Sequence, residues 1–203
     1  MHCLQFFVTV NDVPESHHLR DRILDAAEDY VLSGGYSTSK MLSTVAQRAG
    51  VSRPTIYKYV GDRQAINAAL VERHLADFLP DFAQVVARDE PPRAHLISIL
   101  TFVVDYARTN KLLEAAVRDA PDQTLPQFTL YARAAFEQVR TFALPVIEAL
   151  TAERQVDADA VIDWLCRVAV SLVFTVGLVP TTTPDEVRRH LEVLFDIPAL
   201  LSG

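Results

Sequence analysis

The stretch VAQRAGVSRPTIY, residues 45–57, decides how this chain is expected to fold. It combines a short helical pattern that ends near Ala49, a glycine at position 50, and a second helical pattern that begins after Ser52. This order fits a helix-turn-helix, because glycine takes the positive φ that the turn needs and serine caps the helix that follows. Pro54 fits the first turn of that helix, where a backbone N–H has no intrahelical partner. The pattern predicts a helix-turn-helix over about residues 41–60.

The second of these helices has two different faces. Ile56 and Val60 are expected to face inward and to pack on the first helix. The side chains that remain are basic, aromatic or hydroxyl-bearing, namely Arg53, Thr55, Tyr57, Lys58 and Tyr59. An arginine can read the edge of a guanine, whereas lysine, hydroxyl and phenol groups bind phosphate. Arg63, which opens the next helix, is predicted to hold the phosphate backbone.

Charge is unevenly distributed along the chain. The 203 residues have a formal net charge of −7, yet residues 1–75 carry eight basic and eight acidic side chains. Residues 38–63 carry five basic side chains and one acid, a net charge of +4. A short basic stretch is a footprint for an anion such as DNA, and the acidic remainder argues against nucleic acid lying along residues 76–203.

The same residues carry a resemblance to a known family. The stretch 49–57 resembles the turn and recognition helix of TetR-family bacterial regulators, and residues 23–27 with Gly35 and Tyr36 resemble that family's first helix and its close. The likeness covers about residues 19–70, although Val60 stands where the family usually has an aromatic. It implies a DNA-binding residue set, namely Ser43, Ser52, Arg53, Pro54, Thr55, Tyr57, Lys58, Tyr59 and Arg63.

Helical periodicity recurs almost to the end of the chain, and no segment alternates as a strand would. The sequence therefore predicts an all-α protein of about nine helices. The first begins at Leu19 and stops at the glycines 34 and 35, and the last begins at the Thr183–Glu186 capping pattern and ends before Pro198. The others are predicted at 40–49, 53–60, 62–78, from the prolines 91 and 92 to 109, and at 111–119, 126–152 and 157–179. Pro145 is expected to kink or restart the helix at 126–152.

This pattern suggests three parts of the chain. Residues 1–18 form an N-terminal arm, residues 19–65 a three-helix DNA-binding domain with the helix-turn-helix, and residues 66–203 a helical ligand-binding and dimerisation domain. The arm ends where interpretable helical periodicity begins, at Leu19.

Aromatic residues on the long helices of the last part suggest an apolar pocket. The candidate ligand-binding residues are Phe102, Tyr106, Phe128, Tyr131, Trp164 and Phe174. These rings could line a cavity or form a solid core, and the family resemblance favours a cavity. A hydrophobic or weakly polar small ligand is expected. For an anionic head group, the candidate cations are Arg108, Arg133, Arg140 and Arg167.

Residues 161–179 and 187–195 hold more apolar surface than one subunit is expected to leave in water. Pairing the last two helices with their twofold mates would give a four-helix interface between two copies of this chain. A homodimer also suits a palindromic operator, whose successive major grooves lie about 34–36 Å apart. One stripe contains Trp164 and Leu172 and another contains Val187, Leu191 and Phe195. The pattern leaves open which of the two faces the partner.

The function predicted from these observations is a DNA-binding transcriptional regulator, a repressor that a small molecule releases from double-stranded operator DNA. An activator or a ligand-independent regulator is the alternative. The sequence shows no paired carboxylates, no nucleophile with a base and no phosphate-binding glycine loop, so an enzyme is not expected. No cofactor and no metal site are expected either. Two cysteines and no membrane-length apolar segment suggest a cytoplasmic protein.

Overall fold

The computed structural model describes residues 13–35, 40–152 and 156–201. Within these ranges the chain is helical and no strand occurs, which confirms the all-α prediction. Its ten α-helices are α1 Val13–Tyr30, α2 Met41–Arg48, α3 Arg53–Tyr59, α4 Arg63–Val86, α5 Pro92–Thr109, α6 Lys111–Asp119, α7 Pro121–Phe128, α8 Arg133–Thr151, α9 Ala158–Phe174 and α10 Pro184–Leu201. None of the helices in the described ranges has the length and apolarity to cross a bilayer.

The chain divides into two compact units. Unit 1 is Met1–Leu75 and unit 2 is Ala76–Gly203, and residues of α4 belong to both. The division of function into an arm and domains 19–65 and 66–203 stays a prediction. Residues 1–12 of the arm lie outside the described ranges. Helix α1 begins at Val13, six residues before the start that periodicity predicted, so the last residues of the arm are helical.

In unit 1, α1 packs against α2 and α3. The buried aliphatic side chains include Ile23, Leu24, Val31, Met41, Val45, Ile56 and Ile66. Arg73 ties α4 to α1, because its Nη1 lies 2.7 Å from Asp25 Oδ1 and 3.4 Å from Glu28 Oε2. The first helix closes through a wide turn at Val31–Gly35, in which Gly34 has φ 90°. This is the helix stop that the two glycines predicted.

In unit 2, α5 packs against α9 and α10, and α8 packs against α9. These four helices share a core of buried side chains, namely Ile97, Leu100, Val104, Ile147, Ile162, Leu165, Cys166, Leu172, Val187 and Leu191. Helix α10 begins as the capping box predicted. Thr183 Oγ1 accepts from the Glu186 N–H at 3.3 Å, and Glu186 Oε2 accepts from the Thr183 N–H at 3.1 Å.

Proline ended helices less often than predicted. Helix α4 was expected to stop at Phe78 before Pro80, but it continues to Val86. The Phe78 ring stacks on Phe82 one turn later, with centroids 5.1 Å apart. Aromatic packing around the proline offsets the hydrogen bond that Pro80 removes. Helix α8 likewise runs through Pro145, and α10 runs past Pro198 to Leu201.

The helix count of ten exceeds the prediction of nine because one predicted helix is two. The segment 126–152 was expected to be a single helix, whereas α7 ends at Phe128 and α8 begins at Arg133. Thr129 leaves the helical region at φ −124° and ψ −81°, and the Tyr131 N–H donates to the Pro126 carbonyl at 2.8 Å. Pro121 opens α7 rather than only ending α6, since a proline is tolerated at the first helical position.

Helix α9 ends at Phe174 rather than at the predicted Val179. Thr175 is extended, with φ −112° and ψ 131°. The guanidinium of Arg108 donates to the carbonyl of Leu172 in the last turn of α9 and to the carbonyl of Thr181 beyond it. These bonds satisfy carbonyls that the helix end leaves without partners, so the segment between α9 and α10 can stay extended.

Candidate DNA-binding helix and ligand cavity

Helix α3 begins at a serine cap. Ser52 has φ −84° and ψ 156°, and its side chain accepts the Thr55 N–H at 3.3 Å. The Ser52 and Thr55 hydroxyl oxygens lie 2.7 Å apart and are hydrogen-bonded. Pro54 occupies the first turn. The local signals that predicted this helix start are therefore all present, and they fix the direction in which the following side chains project.

The turn before α3 needs its glycine. Gly50 has φ 65°, a left-handed conformation that costs other residues energy. The Val51 N–H donates to the Ala46 carbonyl at 2.9 Å and so closes the turn. Arg22 of α1 donates from Nη2 to the Ala49 carbonyl at 2.6 Å. Sequence reasoning missed this contribution of Arg22, because nothing in the spacing links position 22 to the turn.

The two faces of α3 are as different as predicted. Ile56 is fully buried and packs among Val45 and Ala46 of α2, which are themselves buried. Tyr57 is 51% exposed. The predicted DNA-binding residues of this helix divide into an exposed set, Ser52, Arg53, Pro54, Tyr57 and Lys58, and a half-buried pair, Thr55 and Tyr59.

Two cations lie on the exposed face. Arg53 stands in the first turn of α3 and Lys58 in its last turn. Within the described part of the chain, no carboxylate lies at ion-pair distance from either side chain. The Lys58 Nζ lies 5.0 Å from the centroid of the Tyr59 ring, which holds the ammonium without neutralising it. The helix therefore presents net positive charge to solvent.

The remaining predicted contacts lie at the edges of this surface. Ser43 is exposed on α2, and its hydroxyl donates to the Lys40 carbonyl at 2.8 Å. Arg63 is half-buried at the start of α4, where Asp62 Oδ1 accepts the Ala65 N–H at 2.9 Å. Arg48, which contributes to the basic stretch, lies 5.4 Å over the Tyr30 ring of α1. Arg48 therefore helps to pack α2 on α1.

The six aromatic residues predicted to line one pocket lie in four places. Phe102 and Tyr106 pack with Phe78 and Phe82 of α4. Trp164 packs edge-on against Phe195 at 5.5 Å, and Tyr131 is 64% exposed. Phe128 and Phe174 meet with ring centroids 5.0 Å apart, and Phe102 and Tyr106 contact each other at 6.3 Å. The physical reason is that a helix presents each ring to whichever neighbour packs on that face, which periodicity along one chain does not reveal.

Phe128 and Phe174 line an apolar cavity of about 220 Å³ in unit 2. Its wall is built from aliphatic and aromatic side chains of α4 to α9, including Phe82, Leu113, Phe136, Ile162 and Val173, and it exposes no polar surface. Cys166 also lines it, and burial raises the pKa of the Cys166 thiol to about 11. The cavity can take a hydrocarbon group and offers it no hydrogen bond.

Three of the four candidate arginines are already bound to acids. Arg133 Nε lies 2.9 Å from Glu137, Arg140 Nε lies 2.5 Å from Asp159, and Arg167 Nε lies 2.6 Å from Asp163. These three pairs line an open groove of about 750 Å³ between α8 and α9. The groove carries balanced charge and so offers an anion no net attraction. Arg108 differs from the other three and binds the carbonyls of Leu172 and Thr181.

The sequence left open which of two apolar stripes on the last two helices faces a partner. The burial of these side chains in unit 2 decides between them. Val187 and Leu191 are buried in the core of their own subunit, so that stripe of α10 does not face a partner. Among the described side chains of α9 and α10, the large apolar ones exposed to water are Trp164, 41% exposed, and Val193, 63% exposed. Val176 and Leu178 in the segment between these helices are fully exposed.

Together, the architecture defines a class of all-helical proteins in which a helix-turn-helix unit precedes a larger helical unit with an internal cavity. The fold is that of TetR-family transcriptional regulators. A TetR/AcrR-family regulator from Thermobifida fusca YX-ER1 has a TM-score of 0.59 at 20% identity, over 86% of this chain and 94% of that one. A TetR-like regulator from Rhodococcus sp. RHA1 has a TM-score of 0.55 at 21% identity, over 89% of this chain and 96% of that one.

Curated sequence relatives match a shorter part of the chain than the solved structures do. An uncharacterized HTH-type transcriptional regulator of Mycobacterium tuberculosis, strain H37Rv, is 36% identical over 92 residues, which are 45% of this chain and 46% of that protein. The HTH-type transcriptional regulator AlkX of the same strain is 46% identical over 63 residues, 31% of this chain and 29% of that protein. The chain thus spans less than half the length of the curated relatives it matches. No protein-family model matches the chain.

Proposed function

We propose that this chain is a DNA-binding transcriptional regulator that inserts α3 into the major groove of operator DNA. The observation that carries the proposal is the outer face of α3, where exposed Arg53, Tyr57 and Lys58 project from a helix that Ser52 caps and Ile56 anchors. A rigid short helix with unneutralised cations is suited to a polyanion of fixed shape. Similarity to HTH-type transcriptional regulators supports the same activity.

Each side chain is assigned a role by its position. Arg53, in the first turn of α3, is proposed to read a base edge, and Lys58 and Tyr57 to bind phosphate. The contacts that extend this surface are Ser43 on α2, Thr55 and Tyr59 on the flanks of α3, and Arg63 on α4.

We propose further that the regulator is a homodimer that binds a palindromic operator and is a repressor released by a small ligand. Exposed Trp164 and Val193 on α9 and α10 support an interface through these last two helices. The apolar cavity of about 220 Å³ supports an apolar or weakly polar ligand. We expect the protein to act in the cytoplasm, where bacterial operator DNA lies.

The first test is the selection of duplexes from a random-sequence library, followed by fluorescence anisotropy on the selected site. Arg53→Ala is expected to cost about 1–3 kcal/mol and to relax the preference at one operator position. Lys58→Ala is expected to weaken binding to all sequences alike and to reduce the salt slope by about one unit. Lys111→Ala, which removes a cation 70% exposed in unit 2, is the matched control and should leave affinity unchanged.

Selection that enriches no sequence would remove the operator-binding proposal. Equal losses for Arg53→Ala on selected and random DNA would remove Arg53 from sequence reading. A promoter fusion then separates the two regulatory directions, because a repressor lowers transcription from its site and an activator raises it. A ligand that releases the protein should change operator affinity by roughly 5–150-fold, and operator should change ligand affinity by the same factor.

A further inference from the structure

Arg108 differs from the arginines of unit 2 that pair with acids, namely Arg88, Arg93, Arg118, Arg133, Arg140 and Arg167. Among the described residues, no carboxylate lies within ion-pair distance of its guanidinium. Its partners are neutral oxygens. Nη1 donates to the Thr181 carbonyl, and Nη2 donates to the Leu172 carbonyl and, at 3.2 Å, to Thr181 Oγ1.

A half-buried guanidinium with neutral partners keeps its positive charge. Burial removes part of its hydration, and carbonyl dipoles compensate for that loss less well than a carboxylate would. The planar fork of arginine also matches a carboxylate in a bidentate geometry. These hydrogen bonds use three of its five N–H groups, which leaves two donors for an anion.

Arg108 lies in a recess next to the apolar cavity. This recess of about 350 Å³ is formed with the segment between α9 and α10. Val173 and Phe174 line both the recess and the apolar cavity, and Ala107, the residue before Arg108, lines the apolar cavity too. The recess therefore offers a cation, whereas the neighbouring cavity offers only hydrocarbon and aromatic wall.

We infer that the ligand of unit 2 is an amphipathic monoanion, a carboxylate with a hydrocarbon tail. The carboxylate binds Arg108, and the tail passes Val173 and Phe174 into the apolar cavity. A neutral ligand would leave the cation without an anion, and a polar tail would lose its hydrogen bonds to water without replacement. The inference rests on the proposed ligand-responsive function and narrows it to one chemical class of ligand.

A carboxylate on Arg108 also has a structural consequence. A carboxylate bound at the remaining N–H groups draws the guanidinium toward itself and weakens its bonds to the carbonyls of Leu172 and Thr181, which hold the two ends of the segment that joins α9 to α10. Ligand binding therefore loosens or shifts this segment. Because α9 and α10 carry the exposed residues assigned to the dimer interface, the ligand acts on the helices through which two copies would meet.

The test compares ligands with one tail and three head groups on the full chain. Isothermal titration calorimetry with octanoate, octan-1-ol and octylamine is expected to show octanoate binding at least about tenfold more tightly than octan-1-ol, with octylamine weakest. Arg108→Gln should lower octanoate affinity by about tenfold or more while octan-1-ol affinity stays within about twofold. Arg108→Lys should restore part of the octanoate affinity. Arg140→Gln, at an arginine already paired with Asp159, is the matched control and should change neither.

Three results would overturn the inference: no octanoate binding at millimolar concentration, equal wild-type affinities for octanoate and octan-1-ol, or an equal loss of both ligands in Arg108→Gln. The last would mean that Arg108 only caps α9. If Arg108→Gln fails to fold, which a circular dichroism melt shows, the head-group series on the wild-type chain decides alone. Operator selection is carried out without ligand, so a chain that binds DNA but prefers octan-1-ol keeps the regulator proposal and loses this one.

Discussion

Unit 1 and unit 2 both consist of helices packed around aliphatic cores. They differ in whether their arginines are paired with acids and in whether packing leaves a cavity. Unit 1 leaves Arg53 and Lys58 exposed without acids on a helix whose inner side Ile56 fills. Among the described residues of unit 2, six arginines pair with acids, and its helices leave an apolar cavity of about 220 Å³. A long polyanion is met by side chains on a rigid surface, whereas a small apolar molecule requires a space that packing leaves open.

The largest expected effect tests whether α10 packs in the core of unit 2 with one face and forms the dimer interface with the other. Val187 is 1% exposed, so Val187→Glu buries a carboxylate among aliphatic side chains and should cost more than about 4 kcal/mol, which unfolds unit 2. Val193→Glu, on the exposed side of α10, should leave helix content and melting temperature unchanged and convert a dimer to a monomer. Circular dichroism and sedimentation velocity measure the two outcomes.

A dimeric, fully folded Val193→Glu variant would remove α10 from the proposed interface. A folded Val187→Glu variant would contradict the assignment of Val187 to the core. The pair is matched, because both changes place the same side chain on the same helix and only the face differs.

The second prediction asks whether unit 1 depends on its turns more than unit 2 does. Gly61 has φ 119°, and a Cβ there would lie 2.7 Å from the Ala65 Cβ, so Gly61→Ala should destabilise unit 1 by about 2–4 kcal/mol. Gly50→Ala, at φ 65° and with 3.6 Å of room to Arg22, should cost about 1–2 kcal/mol. Gly177→Ala in unit 2 meets nothing closer than 3.7 Å and should cost under about 0.5 kcal/mol.

Urea denaturation of the three variants ranks these costs. A Gly177→Ala variant as damaged as Gly61→Ala would mean that the segment between α9 and α10 is as constrained as the helix-turn-helix. The two units would then differ in their binding sites but not in how strictly their turns require glycine.

The two units also differ in how much of each could be predicted from the sequence. In unit 1 the helix-turn-helix follows from local signals, since Gly50, Ser52, Pro54 and the inward Ile56 lie within seven residues and each acts on its own neighbours. The helical periodicity of α3 likewise predicts which of its side chains are exposed. The contact of Arg22 with the Ala49 carbonyl depends on α1 packing against the turn, and no local pattern contains it.

In unit 2 most helices were predictable, apart from the division into α7 and α8, but the side chains that line the cavity were not. Phe128 of α7 meets Phe174 of α9, whereas Phe102 and Tyr106 of α5 contact Phe78 of α4. That same cluster carries α4 past Pro80, where backbone rules alone predicted a stop. Long-range packing decides which side chains line a space, and a single sequence does not encode it in its spacing.

The third prediction tests whether the interior of unit 2 excludes water. Burial raises the pKa of the Cys166 thiol from its ordinary value near 9 to about 11. Below about pH 9 the thiol is neutral in both states and contributes no pH dependence. Between about pH 9 and 11 the unfolded chain loses this proton while the folded chain keeps it, so stability falls by about 2–3 kcal/mol as the pH rises.

Urea denaturation from pH 8 to pH 11 measures this fall, and the Cys166→Ala variant is the reference because it retains the tyrosines, which titrate in the same range. The difference between the two curves belongs to Cys166. Parallel curves would show that the thiol ionises in the folded state and that water reaches the cavity.

The smallest expected effect separates stability from DNA binding with two matched helix caps, one in each unit. Ser52 caps α3 in unit 1 by accepting the Thr55 N–H at 3.3 Å, and Asn110 caps α6 in unit 2 by accepting the Leu113 N–H at 2.9 Å. Ser52→Ala and Asn110→Ala each remove one such bond and change no charge, so each should cost about 1 kcal/mol in urea denaturation. Only Ser52→Ala is expected to weaken operator binding, because it frays the helix turn that holds Arg53 and removes a hydroxyl beside the phosphate. Anisotropy on the selected operator should show a loss of several-fold for Ser52→Ala and none for Asn110→Ala. Equal operator affinities for both variants would mean that DNA binding tolerates a loosened α3, and the recognition surface would then have to lie outside its first turn.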